Sequence, residues 1–184
     1  MRPSNRSKIL EAAVRVVHRD GVTGITFEAV ASEAGLTRGG MLYHFPSRDA
    51  LLLGIHEYLA GQWEALLIQA AGKPADEASE RERIAAYVTA CTMGASSRVE
   101  LQLMLEALTS PPMAAPWMDV IKRWLPDIPP AAPDRAVLWV IRLAADGLWV
   151  HESLSRQPLD PETRQGICRV LLDMIPLSRD SAEP

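Results

Sequence analysis

The sequence predicts an all-α protein in two parts, an N-terminal three-helix DNA-binding domain of the helix-turn-helix kind and a C-terminal helical ligand-binding and dimerisation domain. Three observations predict it. Apolar residues recur at spacings of three and four over long stretches, as in Leu51, Leu52, Ile55, Tyr58, Leu59, Trp63, Leu66 and Leu67, which puts them along one side of a helix. Residues that cap or break helices fall between those stretches. The segment 26–51, TFEAVASEAGLTRGGMLYHFPSRDAL, reads as two short helices across a tight turn with a long helix directly behind them.

Taken in order, Ser4 to Arg19 is the first expected helix. Ile9, Leu10, Ala13, Val14, Val16 and Val17 make a broad apolar stripe, Arg6, Lys8, Glu11, Arg15 and Arg19 occupy the other face, and Asp20-Gly21 ends it. Arg6 and Lys8 can lie beside a DNA backbone. The second helix opens after Thr26, whose hydroxyl can accept a bond from the first-turn N–H groups, and stops at Gly35, a residue suited to the left-handed backbone of a helix end. Thr37 then caps a third helix from Arg38, limited to about two turns because Pro46 disfavours helical geometry at Phe45. Phe27, Val30, Ala31, Ala34, Leu36, Met41, Leu42 and Phe45 are expected to share one small core. Thr37, Arg38, Gly39, Tyr43, His44 and Arg48 remain outside, side chains and backbone suited to phosphates and base edges.

Ser47 caps the fourth helix, Arg48 to about Ala71, which Gly72-Lys73-Pro74 ends. The acidic stretch Asp76 to Glu82 begins a fifth that continues to about Gly94. Val99 to Leu108 is a short apolar helix broken by Pro111-Pro112, and Trp117 to Leu125 is another, with Trp117, Val120, Ile121 and Trp124 inward. Asp134 is the expected cap of a long helix through Arg156. Asp160-Pro161-Glu162, a cap followed by proline at the first helical position, opens a last helix to Met174. The two domains, 1–47 and 48–184, therefore meet inside a helix and not at a floppy linker.

The run GLTRGGMLYHFPSRDALL resembles the signature of TetR-type transcriptional regulators in its Gly-Gly-x-Leu-Tyr-His-Phe form. The match spans Ile9 to Leu53 and rests on the order of Gly35, Thr37, Gly39, Tyr43, His44, Phe45, Arg48 and Leu51. Many members have tyrosine and a polar residue where this chain has Leu42 and Gly40, positions that often touch DNA in relatives. The resemblance therefore implies DNA contacts on Tyr43 and His44, with Thr37 and Arg48 mainly on phosphate and little base readout. It also implies a homodimer on double-stranded operator DNA, released by a small-molecule effector.

Composition narrows the alternatives. The chain has 184 residues, 48% of them hydrophobic, and a formal net charge of -4, which is no general polyanion-binding coat. Residues 1–58 hold seven Lys/Arg against six acids, and the remainder twelve against seventeen. DNA affinity would then rest on a few placed cations in two copies of the module. Cys91 and Cys168 are far apart, without metal-ligand spacing. The N-terminus lacks a signal-peptide core, and no apolar run reaches the roughly 18 residues that cross a bilayer, so a reducing cytoplasm is the simplest compartment and no membrane is involved. His56-Glu57 and His151-Glu152 lack the second histidine of a zinc-protease helix, Ala60 and Ser155 standing in its place. No nucleophile and base fall at motif spacing, so no enzyme activity, metal or cofactor is expected.

The C-terminal part carries two further expectations. Ala136 to Val150 is apolar nearly all round, and Ile167, Val170, Leu171, Met174 and Ile175 repeat the pattern, so one face of each of the last two helices should meet a second copy across a two-fold axis. AADGLWVHESL within this region is also similar, far more weakly, to a dimer-forming segment in relatives of the choline-responsive type. Trp63, Trp117, Trp124, Trp139 and Trp149, with Met104 among the methionines, can line an adaptable cavity in which Asp146, or else Glu106 or Glu152, supplies a carboxylate. Aromatic faces around one buried anion suit an organic cation. The best reading is a ligand-responsive regulator, most simply a repressor, released by a small apolar or cationic organic effector. The alternative is a helical dimeric binding protein for a small molecule or protein partner, with weak or vestigial DNA binding.

Overall fold

The computed structural model describes residues 4–94, 98–155 and 157–176. Regular structure among them is α-helix apart from one short 3-10 turn, Val22–Gly24. The helices are α1 (Asn5–Asp20), α2 (Phe27–Ala34), α3 (Arg38–His44), α4 (Arg48–Ala71), α5 (Glu80–Met93), α6 (Arg98–Ala107), α7 (Pro111–Trp124), α8 (Arg135–Leu154) and α9 (Pro161–Asp173). The described residues fall into two compact units, one drawn from 4–62 and 98–118, the other from 63–94 and 119–176. The division passes through α4 and through α7.

The first unit is built on α1, α2, α3, the N-terminal part of α4, α6 and the start of α7. Ser4 Oγ accepts from Ser7 N–H, Thr26 Oγ1 from Ala29 N–H, Thr37 Oγ1 from Gly40 N–H and Ser47 Oγ from Ala50 N–H, so four of these helices start on a hydroxyl cap. Gly35 adopts φ 66°, ψ 35° and Leu36 N–H reaches back to Ala31 O at 2.9 Å, the six-to-one bond of a Schellman end. Ile9, Leu10, Val16, Ile25, Val30, Met41, Phe45, Leu51 and Ile55 are buried. Arg15 and Arg19 both grip Glu33, at 2.7 and 2.9 Å, which braces α1 on α2. Leu42 does not join the core; it is exposed. Met41 and Phe45, four residues apart, take the inward line of α3, and a residue one step on points about 100° away from it.

The second unit holds the rest of α4 and α7 with α5, α8 and α9. Tyr87, Val88 and Cys91 of α5, Ile141, Ala145 and Leu148 of α8, Cys168 and Leu171 of α9, and Ile175 are buried. Glu152 accepts from Leu159 N–H at 2.9 Å and from Arg164 at 2.6 Å, so it ties the α8–α9 connection to α9 and is not available to a ligand. Arg123 grips Glu64 with two bonds of 2.8 and 2.7 Å, fixing α7 on α4. Arg81 donates to the carbonyls of Ile175 and Pro176.

Two helix starts differ from the sequence reading, and a third helix starts where expected without the expected cap. The fifth helix begins at Glu80, not in the acidic stretch, because Ser79 and Glu82 form a reciprocal capping box and residues 74–78 are spent on turns. Pro111 and Pro112 open α7 as well as ending the helix before it. Their missing N–H groups fall in the first turn, where none is needed, and Met113 and Ala114 N–H bond to Ser110 O. Asp134 precedes α8 but caps nothing: at φ −96°, ψ 16° it is in a turn conformation, not the extended one a side-chain cap requires. The helix ends at Leu154; the expected end, Arg156, lies outside the described residues.

Candidate nucleic-acid interface and effector site

The α2–turn–α3 segment presents its outward groups in a compact set. Tyr43 is 86% exposed and packs edge-on to His44, ring centroids 5.1 Å apart, so a large amphipathic side chain stands clear of the protein. A Cβ added at Gly39 would meet nothing within 4 Å, which leaves the backbone of the first turn of α3 open to close approach. Its N–H groups point the positive end of the helix outward. Thr37 is exposed while its hydroxyl caps the helix.

The cations are less free than the sequence suggests. Arg38 pairs with Glu28 at 2.9 Å, both well exposed, an arrangement that water and phosphate can readily exchange. Arg48 is exposed and donates from Nε to Ile25 O at 3.2 Å, a bond that uses one of its five guanidinium donors. Arg6 pairs with Glu57 at 3.2 Å and its Cζ lies 5.4 Å from the Phe45 ring centroid, whereas Lys8 is exposed. All six residues singled out for DNA contact, Thr37, Arg38, Gly39, Tyr43, His44 and Arg48, thus lie on or beside α3, with Tyr43 the most prominent.

The residues singled out for an effector divide between the units. Trp117 and Met104 belong to the first unit; Trp117 is buried and its Nε1 donates to His56 Nδ1 at 3.0 Å. Trp63, Trp124, Trp139, Asp146 and Trp149 belong to the second. Trp124 is inaccessible and donates to Glu64 at 3.3 Å, a core role. Trp139 is exposed, with Arg142 Cζ 5.3 Å from its ring centroid. Trp149 is half-buried on α8.

Trp63 and Asp146 are joined through a residue that the pattern of tryptophans does not single out. Tyr87 donates its hydroxyl to Asp146 Oδ1 and meets the Trp63 ring edge-on at 6.0 Å. Burial pushes the Asp146 carboxyl above its usual range, against the hydrogen bond from Tyr87 and the charge of Arg142. Burial likewise raises the Tyr87 phenol and pushes the Cys91 thiol up to about 12. The Tyr87 ring also lines a narrow apolar cleft with Ile84, Leu125, Ile128, Leu138, Ile141 and Arg142. The signal for Tyr87 was a phenol on the inward stripe of a helix, since a buried hydroxyl demands a partner.

Comparison with known proteins bears on both parts. The family model of "Bacterial regulatory proteins, tetR family" matches residues 9–55, and that of "Tetracyclin repressor-like, C-terminal domain" matches residues 81–176. The HTH-type transcriptional regulator BetI of Paraburkholderia phytofirmans is 24% identical over 98% of this chain and 97% of its own length. Among solved structures, a TetR family member from Streptomyces coelicolor, SCO1917, aligns at TM-score 0.66 and 27% identity over 95% of this chain and all of that one. The multidrug binding protein EbrR complexed with malachite green aligns at TM-score 0.65 and 25% identity, with the same coverage.

Proposed function

The chain belongs to the tetR family of bacterial regulatory proteins, and from that premise we propose that it is a homodimeric, ligand-responsive repressor of the cytoplasm, with residues 1–47 as its DNA-binding domain and 48–184 serving effector binding and dimerisation. It is a transcriptional regulator with a DNA-binding helix-turn-helix, not an enzyme. The observation that carries the DNA reading is Tyr43, 86% exposed beside His44 on a helix capped at both ends. Each subunit lays α3 in a major groove, with Tyr43, His44, Thr37, Arg38 and Arg48 on the backbone and Gly39 allowing close approach. In a gel shift with the DNA just upstream of its own gene, Tyr43→Ala weakens binding roughly tenfold or more at equal salt; undiminished affinity refutes the reading.

The dimer reading is supported by the outward line of α8. Trp139, Val140 and Leu143 are exposed, Gly147 and Gly166 are open, and Val170 of α9 is exposed, a stripe at helical spacing that water solvates poorly. The effector is an aromatic organic cation held by Trp63, Tyr87 and Asp146, where the cation relieves the buried carboxylate and the rings supply their negative faces. Malachite green, named with EbrR, has that chemistry. Malachite green should bind the protein with Asp146→Asn costing roughly tenfold in affinity, while a neutral aromatic of similar size is unaffected; equal loss for both removes the carboxylate from recognition. An effector lowers DNA affinity only as far as it prefers the DNA-free geometry.

A further inference from the structure

His56 is inaccessible to solvent and lies within the unit formed by 4–62 and 98–118. Its ring is pinned by Trp117, whose Nε1–H donates to Nδ1 at 3.0 Å. Indole is a donor only, so Nδ1 must keep its lone pair and the ring must be the neutral tautomer with the proton on Nε2. That Nε2 is buried with no hydrogen-bond partner among the described residues. A second proton would have to go on Nδ1, where it removes the acceptor and sets two N–H groups against each other.

The surroundings set the pH at which this happens. Burial lowers the His56 pKa below its usual 6.5, and the Glu106 carboxylate on α6 opposes that shift. The stretch of α7 in this unit, 111–118, carries no ionisable side chain. On α4, Glu57 is paired with Arg6 and Tyr58 faces Glu11 of α1 and Gln62. On α6, Glu100 is half-buried and has interactions of its own. The ring therefore stays neutral at pH 7, and the stability that its burial in neutral form confers is complete above about 6.5 and is lost as the pH falls below that value.

The position of the pair connects it to the reading helix. Two residues before His56, Gly54 gives the Phe45 ring its seat on α4: a Cβ there would lie 2.6 Å from Phe45 Cε1. Phe45 is the C-cap of α3. We propose that His56 and Trp117 form a proton-operated latch: at neutral pH it holds α7 on α4, and protonation of His56 in mild acid opens it and lowers the affinity of α3 for DNA. The second half rests on the DNA-binding reading above; the first does not.

The test uses the full chain and two readouts. His56→Asn keeps an acceptor where Nδ1 stands but cannot titrate, and every other side chain is the same in the two proteins. Without DNA, tryptophan emission of the parent should shift reversibly as the pH is lowered below about 6.5, and that of His56→Asn should not. With a duplex from upstream of the gene, parent affinity should fall several-fold more than that of the variant from about pH 7.5 to pH 5.5, up to the roughly tenfold that one such proton allows at the lower pH. His56→Gln, which likewise cannot titrate, should show the same flat profile and decides the matter if His56→Asn does not fold. Parallel profiles, or no emission shift in the parent, overturn the latch. If no protein binds the duplex at neutral pH, the DNA reading fails and the emission arm alone judges the latch.

Discussion

A methyl group at position 54 would come within 2.6 Å of Phe45 Cε1, 3.3 Å of its Cζ and 3.4 Å of Leu10 Cδ2. The ring is not the far end of a flexible chain, and it is itself buried, so the clash has to be absorbed by the core. Gly54→Ala is expected to destabilise by about 1–3 kcal/mol, read as a lower Tm, and to weaken DNA binding because Phe45 ends α3. Tyr43→Ala gives the opposite signature, since so exposed a side chain contributes little to stability: Tm changes little while DNA affinity falls. Single residues were legible in the sequence where local geometry fixes them. Thr26, Thr37 and Gly35 perform the capping and turning roles that their types and spacing imply. Tyr87 with Asp146, and His56 with Trp117, were not legible as pairs because 59 and 61 residues separate them, and periodicity along one helix carries no information about what another brings against it.

At the level of the helix, α4 has the bounds that its apolar spacing and terminal breakers imply, Arg48 to Ala71. Of the two helices whose starts moved, α7 opens on prolines that also end the helix before it, and α5 is a case of competing caps. Before α5, Asp76 and Ser79 both have the chemistry of an N-cap, and Ser79 wins because it, unlike Asp76, has a glutamate three residues on that answers its own backbone N–H. That box carries a pH signature. The hydrogen bond from Lys73, and then those from Ser79, hold Glu82 down at about 2 from 4.5. A depressed carboxyl contributes stability that is present above the unfolded value and disappears as the pH drops from about 4.5 towards 2. Tm measured against pH should show the parent above Glu82→Gln at pH 6, with the two curves converging in acid; a gap that persists at pH 2 would exclude the charge as its source.

For the whole molecule, amphipathic pattern indicated that α8 has more apolar surface than one core can use, and Leu143 is indeed 62% exposed. On the dimer reading, Leu143→Glu should shift sedimentation towards the monomer with helix content unchanged, and should reduce DNA affinity because each module alone carries little positive charge. Which faces lie inward, by contrast, depended on chain segments that return from far along the sequence. The unit containing the reading helices is completed by residues 98–118, with α6 packed on α1 and Trp117 against His56. This implies a property that a tandem arrangement of domains would lack: the proposed reader, residues 1–47, is expected to need residues 98–118 beside it to hold its fold. A chimera that borrowed only the first 62 residues would inherit bared apolar surface on α1 and an indole-less His56, so specificity swaps between relatives have to exchange side chains on α3 in place, inside the intact chain.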